Sequence, residues 1–334
     1  MEGANRKYTL SNWKLMQQQF NVIITDGFTL NPGDLSWQGI DALGSVQYYD
    51  RTSQVEVIER CYNAAIIVTN KTIINAAVIN AATQLKIIAV TATGYNNVDI
   101  ATAKKKGVVV CNVPGYGTSS VAQHAFSLLL QLTNHVGINA ASVANGEWAV
   151  AKDWCYSVKP IIELKDKVLG IIGMGKIGQQ VAAIANAFGM QVIYFGGKEK
   201  VAAARQVNMY ELFMQSDVVS LHCPQTSDNH SFVNKEILEL MKPSSFLINT
   251  ARGALINEKD LAQALQQNRI AGAALDVLST EPPAKSNPLV GLPNCIITPH
   301  NAWMSVEARR RILETTIENI QAFTKEKPQN VVNQ

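Results

Sequence analysis

Short apolar runs recur along the chain and alternate with stretches that favour helices. In the first third, these runs are Asn21 to Thr25, Val46 to Asp50, Ala65 to Thr69, Lys86 to Val90 and Val108 to Cys111. The middle of the chain repeats the pattern at Lys167 to Ile172, Gln191 to Phe195, Asp217 to His222, Ser245 to Asn249, Ala271 to Val277 and Cys295 to Thr298. Their Val, Ile and Ala content is typical of parallel strands buried on both faces. The pattern therefore predicts an α/β protein with two doubly wound parallel-sheet units.

Two longer segments predict helices outside this alternation. Ser119 to His135 lies between the two sets of strands and is rich in strong helix formers. Met304 to Phe323 follows the last strand and has helical periodicity. A helix in that position packs most simply on the second unit, but a return to the first unit is equally allowed physically, and the pattern does not choose between them.

Length, composition and charge exclude several classes of protein. The 334 residues exceed the usual size of one domain, and 47% hydrophobic content is enough for a sizeable core. The net charge of +3 is too small to indicate nucleic-acid binding. No apolar run approaches the roughly 18 residues that span a membrane, and residues 1–19 form a polar extension without the apolar centre of a signal peptide. The five cysteines lack C-x-x-C spacing, as expected for free thiols in a reducing compartment, so we predict a cytoplasmic protein.

A glycine-rich turn, GMGKIG at residues 173–178, follows the first strand of the second set and precedes a helix-forming segment. This is the strand, turn and helix context of a dinucleotide site. Gly173 permits the turn, Gly175 lets the backbone approach a pyrophosphate, and Gly178 lets helix and strand pack closely. Lys176 and Ile177 then present helix N-terminal amides to the phosphates. The alternative is a glycine turn that serves packing alone.

The residues after the next strand bear on the choice between NAD and NADP. An NAD site usually has an acid about 20 residues past the first glycine, and this chain has Gly196 there. Without a carboxylate, the repulsion that excludes a 2′-phosphate is absent. Gly197 leaves room, and Lys198 and Lys200 supply positive charge. We predict NADP(H), with NAD(H) as the alternative if Glu199 replaces the missing acid or if the turn has no bearing on the cofactor.

Polar side chains also follow three strands of the second set. Arg252 lies in NTARG, Glu281 lies in TEPP and His300 lies in TPHNAW. Because ligands of open α/β sheets bind at the carboxyl ends of the strands, we expect these three residues beside the dinucleotide. A guanidinium holds a carboxylate, and an imidazole next to a carboxylate exchanges a proton near neutral pH. The set predicts hydride transfer involving a 2-oxo or 2-hydroxy acid, although each residue alone could be an ordinary loop residue. No cluster has metal-ligand spacing, so we predict no metal.

Five segments carry a family resemblance. In chain order they are GIIGMGKIGQQVA, SDVVSLHCPQT, LINTARGALINEKDLAQAL, GAALDVLSTEPP and ITPHNAW. They resemble the D-isomer-specific 2-hydroxyacid dehydrogenases from about Phe20 onward, and TATGYNNVD and NVPGYGTSSVAQHA are similar to the glycerate dehydrogenase or hydroxypyruvate reductase branch. The resemblance implies a flavodoxin-like substrate domain at residues 1–113 and 304–334 and a Rossmann NAD(P)-binding domain at residues 114–303. The C-terminal helix would then return to the first unit.

The resemblance also implies roles for single residues. Arg252 would hold the substrate carboxylate and carbonyl, His300 would be the acid/base, and Glu281 would support His300. Thr93 and Gly94 would offer backbone amides to the substrate carboxylate. The residues implied around the cofactor are Asp276 at the nicotinamide amide, Thr118 at the nicotinamide pocket, and Cys223 and Pro224 on the adenosine side; Thr250 is a further cofactor-binding residue.

Two residues bear on the size of the substrate. Trp303 follows the catalytic loop and would crowd the pocket, which favours hydroxypyruvate/D-glycerate or glyoxylate/glycolate over a phosphorylated acid. Lys71 follows a strand of the first set and could meet an anionic group, although a solvated loop lysine is the simpler interpretation. One alternative function is that of a phosphoglycerate or other D-2-hydroxyacid dehydrogenase. A more remote alternative is a dinucleotide-sensing corepressor that binds protein partners.

We further predict a homodimer through the coenzyme domain. The run AFSLLLQL in Ser119 to His135 is more apolar than a solvated helix needs, and the resembling family pairs through this region. The prediction puts this helix at the centre of the interface, with Trp154 reaching the substrate pocket of the partner. A monomer with an interior helix is the alternative.

Overall fold

The computed structural model describes residues 20–197 and 201–334. Lys198 and Lys200, on which the NADP prediction partly depends, lie outside the described residues, as do Glu199 and the polar residues 1–19. The chain divides into two compact units. One comprises the residues up to Tyr116 together with Met304–Gln334, and the other comprises Gly117–Trp303.

Strands and helices alternate along the described chain. The strands are β1 (Asn21–Ile24), β2 (Ser45–Tyr48), β3 (Ile66–Thr69), β4 (Ile87–Val90), β5 (Val109–Cys111), β6 (Val168–Ile172), β7 (Gln191–Phe195), β8 (Arg205–Gln206), β9 (Val218–Leu221), β10 (Phe246–Asn249), β11 (Gly272–Leu275) and β12 (Cys295–Ile297). The helices are α1 (Gln38–Asp41), α2 (Val57–Cys61), α3 (Ala76–Ala81), α4 (Ile100–Lys105), α5 (Thr118–Asn134), α6 (Val136–Ala144), α7 (Lys176–Ala187), α8 (Met209–Gln215), α9 (Lys235–Leu240), α10 (Glu258–Gln266) and α11 (Val306–Thr324).

The first unit is built on a parallel sheet in the order β2-β1-β3-β4-β5. This order is that of flavodoxin-like folds. Strands β3 and β4 are buried at every position, as expected for central strands whose two faces are both covered. The apolar runs thus predicted these strands and the burial of the central ones, but the edge strand β2 is mostly exposed because only one of its sides has a neighbouring strand.

The last helix, α11, belongs to the first unit. The guanidinium of Arg309 donates to both carboxylate oxygens of Asp34 at 2.6 Å each. Further along the helix, the side-chain amide of Asn319 donates to the backbone oxygen of Asn112 at 2.9 Å. These hydrogen bonds join segments that are remote in sequence, which explains why periodicity alone left the position of this helix open.

The second unit is a parallel sheet in the order β12-β11-β10-β9-β6-β7-β8. Counted from β6, the order is that of the Rossmann fold with one additional strand at the β12 edge. The predicted fold class, two doubly wound parallel sheets, is confirmed. The two-residue edge strand β8 was not predicted, because Arg205 and Gln206 are exposed and carry no apolar signal.

Helix α5 corrects one step of the dimer argument. Its apolar residues, including Phe126, Leu128 and Leu129, are buried in the second unit against α7 and the sheet. The run AFSLLLQL is therefore apolar because it fills the core of its own unit. The helix ends where His135 adopts a left-handed backbone with φ of +54°, and α6 begins directly afterwards. Among the described residues, no helix is both long and apolar enough to span a bilayer.

Candidate active site

His300 and Glu281 are in direct contact. Nδ1 of His300 lies 2.6 Å from Oε2 of Glu281. The other carboxylate oxygen, Oε1, accepts the backbone N–H of Leu278 at 3.0 Å, which fixes the carboxylate within its own loop. Because Nδ1 faces the carboxylate, Nε2 is the ring nitrogen that can exchange a proton with a ligand.

The sheet explains why these residues meet. His300 follows β12 and Glu281 follows β11, and the two strands are parallel neighbours, so their following loops emerge at the same edge. Arg252 follows β10, the next strand along, and is exposed; its Nη1 donates to the backbone oxygen of Ala251 at 2.7 Å. The structure thus brings His300 and Glu281 together and holds Arg252 on the adjacent strand end.

Gly253 fixes the loop that carries Arg252. A Cβ at this position would lie 1.9 Å from the backbone carbon of Leu278. The loop after β10 therefore packs directly on the loop after β11, and only a residue without a side chain allows this approach. Glu258 strengthens the same region, because its Oε1 accepts the backbone N–H of Ser279 at 2.6 Å.

Asp276 is buried beneath the His300 loop. Its side chain is 1% exposed. Oδ1 accepts the hydroxyl of Thr298 at 2.6 Å and the backbone N–H of Asn301 at 2.9 Å, and Oδ2 accepts the backbone N–H of Ala302 at 2.9 Å. Burial raises the pKa of Asp276, but the hydrogen bonds from His124, Thr298 and the two amides outweigh it and hold the pKa below its usual value.

The glycine turn of residues 173–178 has the geometry of a phosphate cradle. Gly173 has φ of +98°, and a Cβ there would lie 2.6 Å from the backbone nitrogen of Cys223. At Gly178 a Cβ would lie 2.3 Å from the backbone oxygen of Gly173. Gly175 precedes α7, and a Cβ there would have no atom within 4 Å. No side chain of Gly175 therefore covers the start of α7, and an anion can reach the backbone amides at Lys176 and Ile177.

The remaining predicted cofactor residues surround this turn within the second unit. The backbone oxygen of Gly196 accepts the N–H of Met174 at 3.0 Å. Gly196 has φ of +75° and open space at its Cβ position, whereas a Cβ at Gly197 would lie 3.0 Å from Cβ of Met174. Pro224 is exposed, and burial raises the pKa of the Cys223 thiol, which keeps it protonated.

Two buried polar atoms at the strand ends match a ligand with hydrogen-bond donors. Within the described chain, Thr250 Oγ1 and Asn301 Oδ1 have no hydrogen-bond partner. Unpaired buried acceptors are rare in native proteins and often mark a site completed by a ligand. With the open cradle around Gly175, they show that the residues present fit a nicotinamide dinucleotide.

Thr118 and Trp303 lie at the two ends of the second unit's chain. Thr118 is the first residue of α5, and both residues are half-buried. The hydroxyl of Ser120 donates to the backbone oxygen of Ala302 at 2.6 Å, so α5 is tied to the segment that carries His300. Trp154, in contrast, is 85% exposed.

Thr93, Gly94 and Lys71 belong to the first unit. Thr93 donates to the backbone oxygen of Val113 at 3.0 Å, which ties the loop after β4 to the loop after β5; Gly94 is half-buried in the same loop. Lys71 is exposed in the loop after β3. That loop is held by Asp26, whose carboxylate accepts the backbone N–H groups of residues 70–72. The sequence interpretation missed Asp26, although its position directly after β1 was a usable signal.

Comparison with known proteins gives concordant matches. Residues 126–302 match the family model for the D-isomer specific 2-hydroxyacid dehydrogenase, NAD binding domain. The chain is 45% identical over 319 residues to a hydroxypyruvate reductase of Blautia hydrogenotrophica, covering 93% of this chain and 99% of the relative. It is 39% identical over 288 residues to a glycerate dehydrogenase of Methylorubrum extorquens, covering 86% and 91%.

Solved structures of two relatives hold different coenzymes. An acyclic imino acid reductase in complex with NADPH and D-Arg has 35% identity and a TM-score of 0.81, with 93% of this chain and 99% of that chain covered. A D-lactate dehydrogenase from Aquifex aeolicus, complexed with NAD and lactic acid, has 29% identity and a TM-score of 0.80, with 94% and 99% covered.

The fold, the glycine cradle and these matches define an oxidoreductase with an NAD(P)-binding Rossmann domain. The chain belongs to the D-isomer-specific 2-hydroxyacid dehydrogenase family, as its motifs predicted.

Proposed function

We propose that the protein reduces hydroxypyruvate, and also glyoxylate, with NADPH as the preferred hydride donor. The observation that carries this proposal is the 2.6 Å contact between His300 Nδ1 and Glu281 Oε2, at the same edge of the parallel sheet as the open glycine turn after β6. Relatives named hydroxypyruvate reductase, glycerate dehydrogenase and glyoxylate reductase support the substrate class. Consumption of NADPH by the purified protein with hydroxypyruvate tests it, and the absence of turnover with any 2-oxo acid would refute it.

The coenzyme, when bound, supplies the hydride that reduces the carbonyl carbon. His300 donates the proton from Nε2 to the carbonyl oxygen, and Glu281 stabilises the protonated imidazole before the transfer. Proton transfer by a positioned side chain contributes about 10² to 10⁴ in rate. Arg252 holds the substrate carboxylate and stabilises the negative charge that develops on the oxygen.

In this proposal the second unit is the coenzyme domain. The amides at Lys176 and Ile177 face the pyrophosphate, and Thr250 and Asn301 offer acceptors near the nicotinamide. The preference for NADPH rests on Gly196, which presents no carboxylate and has open space at its Cβ position. The NADPH-bound relative at 35% identity supports this preference, while the NAD-bound relative keeps NADH as the alternative.

The first unit is the substrate domain in the same proposal. Its residues Thr93 and Gly94 offer backbone amides that suit a carboxylate, and Lys71 is an exposed loop residue that does not select the substrate. Trp303 of the second unit favours a small acid. A phosphorylated acid is the competing substrate, and the ratio of kcat/KM for hydroxypyruvate and 3-phosphohydroxypyruvate distinguishes the two.

We also propose a homodimer, built on a different surface from the one that the sequence suggested. Helix α6 and the segment after it expose apolar side chains, among them Val136, Trp148, Val150, Trp154 and Ile161. A patch of this kind in one segment is typical of a subunit interface. Ser142 orders the segment, because its hydroxyl lies 2.6 Å from the Tyr156 hydroxyl. A second copy of the chain would cover these side chains.

A further inference from the structure

The backbone of His300 is in the left-handed region, with φ of +51°. This conformation is disfavoured for a residue with a Cβ atom, and for a residue that is not β-branched, such as His, it is uncommon rather than forbidden. Such conformations persist where the surroundings hold them, and they cluster at functional sites. The contacts that hold His300 therefore bear on how its imidazole is aimed.

One residue, Asp276, holds three successive amides of this loop. Its backbone oxygen accepts the N–H of His300 at 2.8 Å. Its Oδ1 accepts the N–H of Asn301 at 2.9 Å, and its Oδ2 accepts the N–H of Ala302 at 2.9 Å. A carboxylate that accepts backbone amides makes strong, charge-assisted hydrogen bonds, so these contacts fix the backbone on the C-terminal side of the imidazole.

Thr298 and His124 support this arrangement from the other side. The Thr298 hydroxyl donates to Asp276 Oδ1 at 2.6 Å, and His124 Nε2 lies 3.0 Å from the same hydroxyl. Because the hydroxyl gives its one proton to the carboxylate, it accepts a hydrogen bond from His124, so Nε2 of His124 carries a proton. His124 lies on α5, so the series of hydrogen bonds connects this helix to the His300 loop.

We propose that Asp276 is a positioning residue that aims the His300 imidazole at Glu281 by holding the loop of residues 298–302, with Thr298 and His124 as its supports. This inference rests on the proposed function for its catalytic consequence. It is distinct from the role implied by the family resemblance, a contact with the nicotinamide amide, and is compatible with it. Oδ1 accepts two hydrogen bonds from the loop and Oδ2 accepts one, so Oδ2 keeps an acceptor position for a ligand.

The test is Asp276→Asn, in which an NH₂ group replaces one of the two acceptor oxygens. This group cannot accept the hydrogen bonds that the loop donates at that position. The backbone amides of the peptide covering residues 298–303 should exchange with solvent at least about tenfold faster than in the parent protein. The kcat for hydroxypyruvate should fall about 100-fold, since small misplacement of a catalytic group has an effect of that order. The Kd for NADPH, measured by titration without substrate, should stay within about threefold.

Asp217→Asn is the matched control. Asp217 precedes β9 and also accepts a backbone amide, that of Val168 at 2.8 Å, together with Nζ of Lys242 at 2.8 Å. Its replacement perturbs a partly buried carboxylate that also accepts a backbone amide, away from the His300 loop. Thermal stability should fall in this control, while exchange in residues 298–303 and kcat stay as in the parent protein.

The outcomes separate the competing interpretations. A rise in the Kd for NADPH with unchanged kcat at saturating coenzyme would assign Asp276 to the nicotinamide and overturn the inference, as would unchanged amide exchange or unchanged kcat. If Asp276→Asn does not fold, Thr298→Val gives the same readouts, and the absence of any effect in that variant would also overturn it. If the parent protein turns over no 2-oxo acid, the proposed function fails, whereas amide exchange still decides whether Asp276 holds the loop.

Discussion

Nδ1 of His300 lies 2.6 Å from Oε2 of Glu281, and this contact determines which nitrogen of the ring faces a ligand. The two residues are 19 positions apart but follow neighbouring parallel strands. A carboxylate in this position accepts a hydrogen bond from Nδ1 and prevents the ring from turning its other nitrogen towards the loop. The pair therefore acts as one unit, and each member is expected to be necessary.

We expect His300→Ala to lower kcat for hydroxypyruvate by about 10² to 10⁴, because the positioned proton donor is lost. The Kd for NADPH should change little, since the glycine turn is untouched. Steady-state kinetics and coenzyme titration measure the two effects. His230→Ala is the control, because His230 is an exposed loop histidine of the same unit. Near-normal turnover in His300→Ala would rule out the assignment.

The sequence predicted much of this site because its polar residues come soon after apolar segments that form strands. Arg252, Glu281 and His300 each follow an apolar run, and the parallel arrangement of the runs predicted a common sheet edge. Asp26 and His124 were missed because their partners, the amides of residues 70–72 and the hydroxyl of Thr298, are remote in sequence. Side-chain contacts of that kind leave no periodic signal.

The same limit applies to the apolar face of α5, from which the dimer was argued. An apolar helix face looks alike in sequence whether it contacts its own sheet or a second subunit. In α5, the structure shows that Phe126 and Leu129 are buried in the second unit. The exposed valines and tryptophans after α6 are spaced irregularly, so no hydrophobic period identified them.

The dimer prediction is tested with Val150→Glu. Val150 is 83% exposed in the segment after α6, and a charge there would remain unpaired in a subunit interface. We expect the variant to shift from dimer to monomer in sedimentation at micromolar concentration. Val55→Glu is the matched control, because Val55 is a 92% exposed valine of the first unit. A parent protein that sediments as a monomer would contradict the prediction.

The Arg309–Asp34 pair predicts a pH-dependent contribution to stability. The hydrogen bond from Arg309 holds the pKa of Asp34 below its ordinary value of 3.8. A carboxyl with a depressed folded-state pKa stabilises the fold above its unfolded pKa, and this contribution disappears as the pH falls through the folded value. Because Asp34 is exposed, the effect is moderate.

We therefore expect Arg309→Met to lower Tm by a few degrees at pH 7, with a smaller difference from the parent protein below about pH 3. Thermal unfolding followed by circular dichroism at both pH values measures this. Arg310→Met is the control, since Arg310 is the exposed neighbour on the same helix. An equal loss of Tm in both variants would show that the ion pair is not responsible.

The substrate prediction compares hydroxypyruvate with 3-phosphohydroxypyruvate. Trp303 is half-buried and follows the His300 loop in sequence, and its large side chain favours a small substrate. We expect kcat/KM for hydroxypyruvate to exceed that for the phosphorylated acid by at least about tenfold. Lys71→Ala should leave the hydroxypyruvate value within about twofold. Comparable values for both acids, with a selective loss for the phosphorylated one in Lys71→Ala, would instead favour phosphoglycerate dehydrogenase activity.

The coenzyme prediction depends on Gly196, the residue at the end of β7 where NAD sites usually have an acid. Its φ of +75° disfavours side chains in general, but Asp is among the residues that tolerate this region best, and a Cβ there would meet no atom of the described residues within 4 Å. We expect the parent protein to have a higher kcat/KM with NADPH than with NADH. Gly196→Asp should raise the NADH to NADPH ratio of kcat/KM by at least about tenfold, because the carboxylate repels the 2′-phosphate and accepts the ribose hydroxyls.

Gly196→Ala separates charge from backbone strain, since it adds the same Cβ without a carboxylate. Both variants should lose some stability, and only Gly196→Asp should change the ratio. Kinetics with both coenzymes at fixed hydroxypyruvate measure it. A parent protein that prefers NADH would reject the prediction and would indicate that another group takes the role of the missing acid. An equal change of the ratio in Gly196→Ala would attribute the preference to the conformation of the turn rather than to charge.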